Sequence, residues 1–280
     1  MRPMRSLVIA VAMTGCVGGK QVDSPVDYAA GDVLLAHEEL TLRSTSLRET
    51  RRVNIYLPPD YGASADTRYP ILYMPDGGVH EDFPHLTHTI DTAIRSGEML
   101  PVVVVGIENT QRRRDMTGPT EVAEDRAIAP EVGGSAAFRA FIRDELMPEI
   151  EGRVRGSGET AIIGESLAGL FIVETFFVEP ELFDVYIAID PSLWWNDGEL
   201  AKGAAERLQA GVGPGKTLHL TSAGQRGDGN VEFVEPLVEA LRAHAPEHLR
   251  WTWLPKPDQS HATIYRAAKL EILRSLFPPQ

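Results

Sequence analysis

The sequence is poor in cysteine, in basic side chains and in long apolar runs. One of its 280 residues is a cysteine, which excludes an intrachain disulfide and a metal site built from several cysteines. Its 27 Lys and Arg residues stand against 40 Asp and Glu residues. This balance argues against a nucleic-acid partner, because phosphate binding needs a basic surface. After the N-terminal region, no stretch approaches the roughly 18 apolar residues of a membrane span. Hydrophobic residues make up 43% of the chain, as in a folded globular protein.

Residues 1–15 have the pattern of a bacterial export signal. Arg2 and Arg5 precede an apolar run over 7–13, which is too short to span a bilayer. Thr14, Gly15 and Cys16 follow, so the sole cysteine stands, after a small residue, where a lipoprotein signal has the residue that is lipidated. The alternative is an ordinary secretory signal, or a buried N-terminal strand that carries a free thiol.

This pattern predicts how the chain is divided and where the protein is located. We expect a lipoprotein signal peptide over 1–15, a tether over 16–34 and a single domain over 35–280. The mature protein is then exported and held in the bacterial cell envelope by a lipid on Cys16, facing the periplasm. Val17 after the cysteine, rather than an aspartate, resembles an outer-membrane lipoprotein.

The rest of the chain alternates between predicted strands and helices. Segments 37–47 and 52–57 alternate apolar and polar residues, as half-buried antiparallel strands do. Six short apolar runs follow, at 71–74, 102–107, 161–163, 185–189, 217–220 and 251–254. Helical patterns occupy 135–150, 167–178, 231–243 and 263–277. Continuously apolar strands are buried on both faces, so we predict a doubly wound α/β fold whose sheet is mostly parallel with antiparallel N-terminal strands.

The third apolar run leads into a candidate nucleophile elbow. Ser166 stands between this run and a helix, with Gly164 two residues before it and Ala168 two residues after it. A strand–turn–helix with serine at its apex needs small neighbours at these two positions. The helix that starts at Leu167 directs its first N–H groups toward an oxyanion formed at the serine. We therefore predict that Ser166 is a nucleophile and that the Leu167 N–H is one oxyanion donor.

A serine nucleophile needs a histidine base, which in this fold follows it in the chain. His261 comes after the last predicted strand, at the sheet edge where α/β proteins place their active sites. His219 lies inside an apolar strand, and His244 and His248 lie at a helix end where solvent exposure is expected. We predict His261 as the base.

Two aspartates compete for the acid that orients the histidine. Asp228 follows the apolar run 217–220 in a glycine-rich loop, and Asp190 follows the run 185–189. Both loops can reach the histidine loop, and Asp228 is favoured. Glu232 is a third option, although it is expected to begin the next helix.

The remaining site residues concern the oxyanion and the substrate. The loop after the first parallel strand should supply the second oxyanion donor, and it contains Gly77 and Gly78. Aromatic rings could stack on aryl groups, and arginines could hold an anionic group. The candidates for substrate binding are Trp194, Trp195, Arg112 and Arg114. The alternatives are that both tryptophans are packed core and that the arginines are a solvated charge run.

Taken together, these motifs resemble the putative-esterase family of α/β hydrolases. That family includes enterobactin- and salmochelin-type siderophore esterases, S-formylglutathione hydrolases, feruloyl and acetylxylan esterases, and mycolyltransferases. The segments that carry the resemblance are 46–61, 69–77, 106–109, 138–150, 164–169 and 191–196. Carried over by position, Ser166 is the nucleophile and His261 the base. The family acid falls in the loop 224–228, where Gly227 replaces the common glutamate and Asp228 follows.

The resemblance implies a serine esterase with no metal or organic cofactor, acting on a small-molecule ester of siderophore or aryl type. An acyltransferase of the same fold would share the triad and pass the acyl group to an alcohol. A non-catalytic lipoprotein that binds a siderophore or glycan is the alternative from another class. A peptidase of the same fold is disfavoured, because the segment 191–216 is too short for a large cap.

Overall fold

The protein was analysed as a computed structural model, which describes residues 32–224 and 229–279. The predicted signal peptide and nearly all of the tether therefore lie outside the described residues. Within the described part, one mixed sheet of eight strands dominates the fold. The strands are β1 (Glu38–Arg43), β2 (Thr50–Tyr56), β3 (Tyr69–Pro75), β4 (Val103–Ile107), β5 (Gly156–Glu165), β6 (Val185–Ile189), β7 (Thr217–Ala223) and β8 (Arg250–Lys256).

The order of the strands is that of a doubly wound sheet with an antiparallel edge. Across the sheet it runs β1-β2-β4-β3-β5-β6-β7-β8. β1 pairs antiparallel with β2, and β2 antiparallel with β4, whereas the other neighbours are parallel. The predicted fold class and all eight predicted strands are confirmed.

Helices cover both faces of the sheet. The α-helices are α1 (Phe83–Arg95), α2 (Arg112–Asp115), α3 (Ala123–Ile128), α4 (Ser135–Phe141), α5 (Met147–Arg153), α6 (Leu167–Val178), α7 (Glu199–Lys202), α8 (Ala204–Ala210), α9 (Val231–His244) and α10 (His261–Leu276). The sequence pattern did not indicate α1. It also did not indicate the short helices α2 and α3 after β4, or α7 and α8 after β6. Hydrophobic residues form one core with α4, α6 and α9, and a second core with α1 and α10 on the opposite face.

The helix predicted over 135–150 is interrupted by a π-helical segment. A five-residue π-helical segment, Ile142–Leu146, joins α4 to α5. Pro148 follows it, and a proline lacks the N–H that would bond four residues back while its ring crowds that carbonyl. A π turn accommodates this disruption, so the helix continues to Arg153 instead of ending at the proline.

A buried ion pair joins the antiparallel edge to the connection after β4. The guanidinium of Arg51 and the carboxylate of Asp115 are both fully buried and lie 2.5 Å apart. Arg51 also donates to the Thr110 hydroxyl at 2.9 Å and to the Glu108 carbonyl at 2.9 Å. Its guanidinium stands 5.2 Å from the ring centre of Phe138. This single side chain therefore connects β2, the loop after β4, α2 and α4.

We expect Arg51→Ala to destabilise the domain strongly. Asp115 would keep only its contact with Arg114, and breaking a buried ion pair costs about 3–5 kcal/mol. Urea unfolding should show this loss in the free energy of unfolding, whereas the exposed neighbour Arg52→Ala should change it little. Equal stabilities of the two variants would contradict this structural role.

Candidate active site

Ser166 stands at a strained turn between β5 and α6. Its backbone has φ 61° and ψ −119°, a region that a non-glycine residue adopts only when the surrounding structure enforces it. A Cβ atom at Gly164 would lie 2.6 Å from the Cβ of Ala168, so the turn requires glycine there. The Ser166 N–H donates to the Ile189 carbonyl at 3.1 Å, which fixes the turn against the end of β6.

The hydroxyl of Ser166 contacts His261 from the start of α10. The His261 Nε2 atom lies 3.0 Å from the Ser166 Oγ atom, within the reach of a nucleophile–base pair. Ser260 caps this helix through a capping box with Thr263, which fixes the position of the first helical residue. Sequence reasoning selected His261 for its place after the last strand, and the structure brings it to the predicted nucleophile.

Asp190 completes the arrangement on the other ring nitrogen. Its Oδ2 atom lies 2.6 Å from His261 Nδ1. Its Oδ1 atom accepts from the N–H of Ala223 at 2.9 Å and from the N–H of Asn230 at 3.2 Å. The Asn230 side chain also donates to the Asp190 carbonyl at 2.8 Å. The carboxylate is fully buried and aimed at the imidazole.

The acid that the sequence favoured, Asp228, lies outside the described residues. The structure instead brings the alternative, Asp190, to the Nδ1 atom of His261, and that atom has room for one strong acceptor. Glu232 is in the first turn of α9, as expected. Asn230 escaped sequence reasoning, although its place just before a helix after β7 put it near this sheet edge.

The hydrogen bond to Asp190 raises the pKa of His261. Burial opposes this shift, and the nearby carboxyl group of Glu165 reinforces it.

The other histidines after Ser166 lie away from the site. Burial lowers the pKa of His219 to about 4. His219 is a buried residue of β7, as predicted. His248 bonds to the Val212 carbonyl at 2.7 Å, and His244 ends α9.

The predicted oxyanion donors differ in availability. Leu167 is the first residue of α6, and the first N–H groups of a helix have no acceptor within it. The Gly77 N–H, by contrast, donates to the Ile107 carbonyl at 2.9 Å and so serves the packing of its loop against β4. The Gly78 N–H donates to Glu81 Oε2 at 2.7 Å. Of the two glycine N–H groups, only that of Gly78 donates to a side chain. It can therefore donate to a substrate oxygen instead if the Glu81 side chain moves away.

Glu81 is a partly buried carboxyl group that contacts the glycine loop. It accepts from the Gly78 N–H and, at 3.2 Å, from the Asn109 N–H. Burial, together with the charge of Asp76, raises the pKa of Glu81 to about 7. The hydrogen bond from the Gly78 N–H to Glu81 is therefore weakest when the carboxyl group of Glu81 is protonated.

The two arginines that were expected to bind substrate occupy different networks. Arg112 forms a two-pronged ion pair with Asp76 on the glycine loop, at 2.6 and 2.8 Å. Arg114 pairs with Glu49 and Asp115, in the network of Arg51 and away from the serine. Arg114 is thus a structural side chain, because its guanidinium already holds two carboxylates.

The two tryptophans that were expected to bind substrate differ in burial. Trp195 is a core residue that is 4% exposed, and its indole N–H donates to the Gly118 carbonyl at 3.1 Å. It therefore cannot contact a substrate, because the core already covers its ring. Trp194 is only partly buried against that core.

The same segment supplies a residue that sequence reasoning missed. The Ser192 hydroxyl lies 3.1 Å from the Ser166 hydroxyl.

Within the described residues, no group of three or more His, Cys, Asp or Glu side chains is arranged to hold a metal ion. Over the same part of the chain, no helix combines the length and apolar character that crossing a bilayer requires.

Comparison with known proteins identifies the family. The family model described as "Putative esterase" matches residues 44–229, more than half of the chain. The chain belongs to this family. The match covers the serine elbow and Asp190 but ends before His261.

Named relatives and a solved structure share parts of the chain. The ferri-bacillibactin esterase BesA of Bacillus subtilis is 31% identical over 54% of this chain and 57% of its own length. A siderophore enterobactin esterase of Emericella nidulans is 38% identical over 31% of this chain and 32% of its own length. The chain thus spans about a third to little more than half of these relatives. The IroE-like serine hydrolase of Shewanella oneidensis superposes with a TM-score of 0.79 and 27% identity, covering 86% of this chain and 80% of that one. The fold is that of the α/β hydrolases.

Replacing Asp190 by Asn should lower the pKa of His261. The imidazole would lose the carboxylate whose hydrogen bond favours its protonated form. NMR titration of the imidazole protons measures this pKa, with the His261 signal assigned by its loss in His261→Gln. The pKa of His219 should not move, which provides an internal control. An unchanged His261 pKa would show that the Asp190 contact is absent in solution.

Proposed function

We propose that this protein is a serine carboxylic-ester hydrolase with Ser166, His261 and Asp190 as its catalytic triad. The observation that carries the proposal is the hydrogen-bonded series from Asp190 Oδ2 through the imidazole of His261 to the Ser166 Oγ atom, with distances of 2.6 and 3.0 Å. A carboxylate, an imidazole and a serine in this order form the arrangement that activates a serine for acyl transfer. Family membership and the esterase names of the relatives support the same chemistry.

Each residue has a defined role in the proposed reaction. The Ser166 oxygen attacks the ester carbonyl while His261 Nε2 takes the hydroxyl proton. Asp190 holds the imidazole by its Nδ1 atom and stabilises the imidazolium. The Leu167 N–H, and the Gly78 N–H once Glu81 releases it, donate to the tetrahedral oxyanion. His261 then returns the proton to the leaving alkoxide, and water hydrolyses the acyl-enzyme in a second round.

A siderophore-type ester is the substrate class that we propose. The support comes from the relatives, whose names specify ferri-bacillibactin and enterobactin. The partly buried Trp194 comes two residues after Ser192, whose hydroxyl contacts that of Ser166, and an aromatic ring suits a substrate with aryl groups. Trp194, rather than Trp195, is therefore the proposed substrate contact of the segment after β6.

Hydrolysis of p-nitrophenyl acetate and butyrate tests the chemistry. We expect turnover by the parent protein, a loss of about 10⁶-fold in Ser166→Ala and His261→Ala, and a loss of about 10⁴-fold in Asp190→Asn, as when a triad aspartate is changed. Ser157→Ala, at the exposed start of β5, serves as the matched serine control. Asp228→Asn should keep near-parent activity.

Two outcomes would contradict the assignment. Activity that survives Ser166→Ala would exclude the proposed nucleophile, and loss in Asp228→Asn with retention in Asp190→Asn would transfer the role of the acid. Ferri-bacillibactin and enterobactin assayed on the same preparations test the substrate class. Cleavage of the aryl esters alone would leave the triad in place and remove the siderophore assignment.

We also propose that the protein is exported and anchored to the cell envelope through a lipid on Cys16. The support is the signal-like pattern that ends at the only cysteine of the chain. Expressed at full length in a Gram-negative host, the protein should incorporate an alkyne fatty acid and sediment with the outer membrane. Cys16→Ser should abolish both, whereas Ser24→Ala should abolish neither. Labelling that persists in Cys16→Ser would refute the anchor.

A further inference from the structure

Glu165 is a carboxyl group next to the nucleophile that the triad does not use. It is the last residue of β5 and directly precedes Ser166. In the sheet it pairs with Ile189, the residue before Asp190. Its Oε1 atom is buried and has no hydrogen-bond partner among the residues that the structure describes. A buried polar atom without a partner is costly, which calls for a functional explanation.

Charged and titratable groups from several elements act on Glu165. They are Asp76 after β3, Asp82 before α1, Asp190 after β6, Arg112 on α2, and His261, Tyr265 and Arg266 on α10. Both arginines already have carboxylate partners, since Arg112 holds Asp76 and Arg266 holds Asp32. The remaining positive partner in this group is the imidazolium of His261, which the proposed reaction itself creates.

The environment of Glu165 keeps its proton bound near neutral pH. Burial raises the pKa of Glu165 to about 8, and the surrounding aspartates add to this effect, whereas His261 opposes it. The influence is reciprocal, because Glu165 raises the pKa of His261 beyond the effect of the Asp190 hydrogen bond. The two groups therefore titrate as an interacting pair.

We propose that Glu165 is a positioning residue whose carboxylate stabilises the His261 imidazolium during ester hydrolysis, in addition to Asp190. This inference rests on the proposed function. Nδ1 of His261 is occupied by Asp190 and Nε2 by Ser166, so Glu165 acts through its charge and not through a hydrogen bond to the ring. When His261 accepts the serine proton, its imidazolium faces the partly buried carboxyl group of Glu165, and charges interact more strongly in a partly buried site than in bulk water.

The proposal gives the activity a two-step dependence on pH. As the pH rises, His261 first loses its proton and becomes a base, and kcat/KM increases. At higher pH Glu165 ionises, and its carboxylate then stabilises the imidazolium of the transition state, so kcat/KM increases again. Both steps are macroscopic properties of the pair.

The experiment measures kcat/KM for p-nitrophenyl acetate against pH with the full-length chain and its Glu165→Gln variant. The parent should show both rising steps. Glu165→Gln should show one step, at the pH of the first step of the parent because Glu165 is still protonated there, and a plateau about tenfold lower, which corresponds to roughly one pKa unit of interaction. KM should be unchanged, because the substrate is neutral. Glu159→Gln, an exposed glutamate of the same strand, should reproduce the parent profile.

A single rising step in the parent, or superimposable profiles of the parent and Glu165→Gln, would overturn the proposal. The parent profile decides the matter by itself if Glu165→Gln does not fold. Ser166→Ala separates this failure from a failure of the proposed function. If the parent is active and Ser166→Ala is not, the esterase assignment stands whatever the role of Glu165.

Discussion

The buried carboxylate of Asp190 is the contact on which the arrangement of the site depends. Two backbone N–H groups, from the end of β7 and the start of α9, hold its Oδ1 atom, which leaves Oδ2 for His261. A buried carboxylate is stable only when its oxygens are satisfied. Strand β6, strand β7, helix α9 and helix α10 must therefore all be in place before the imidazole is oriented. The geometry of the proposed triad thus requires that the parallel half of the sheet be complete.

Strain at the nucleophile follows from the same sheet edge. The left-handed backbone of Ser166 is tied to the end of β6 by its N–H, and the Ser192 N–H donates to the Ser166 carbonyl at 3.0 Å. These bonds oppose relaxation of the turn, because its N–H and its carbonyl are both engaged. The result is a hydroxyl presented at the apex of the turn, between His261 and Ser192.

Acidic groups on the glycine loop and beside Ser166 in the chain set the electrostatic character of the site. Asp76, Glu81 and Glu165 are all close to the site, and Arg112 is the arginine bound to the glycine loop. Burial keeps the pKa values of Glu81 and Glu165 at about 7 and about 8. Near neutral pH, a part of this charge is therefore removed by protonation. Arg114, another arginine of α2, belongs instead to the Arg51 network through Glu49 and Asp115.

The sequence alone determined the strands, the serine elbow and the histidine, because each depends on a local pattern. Apolar runs mark strands buried on both faces, small residues around Ser166 mark the turn, and His261 follows the last strand of the sheet. The choice of acid was not local. Asp190 and Asp228 both follow strands in the sequence, and the fold brings Asp190 to the Nδ1 atom of His261. Tertiary structure likewise decided that Trp195 is core, that Arg114 is paired and that the Gly77 amide is used by the fold. The physical reason is that burial and hydrogen-bond partners come from residues distant in the chain, so a pattern of neighbouring residues does not contain them.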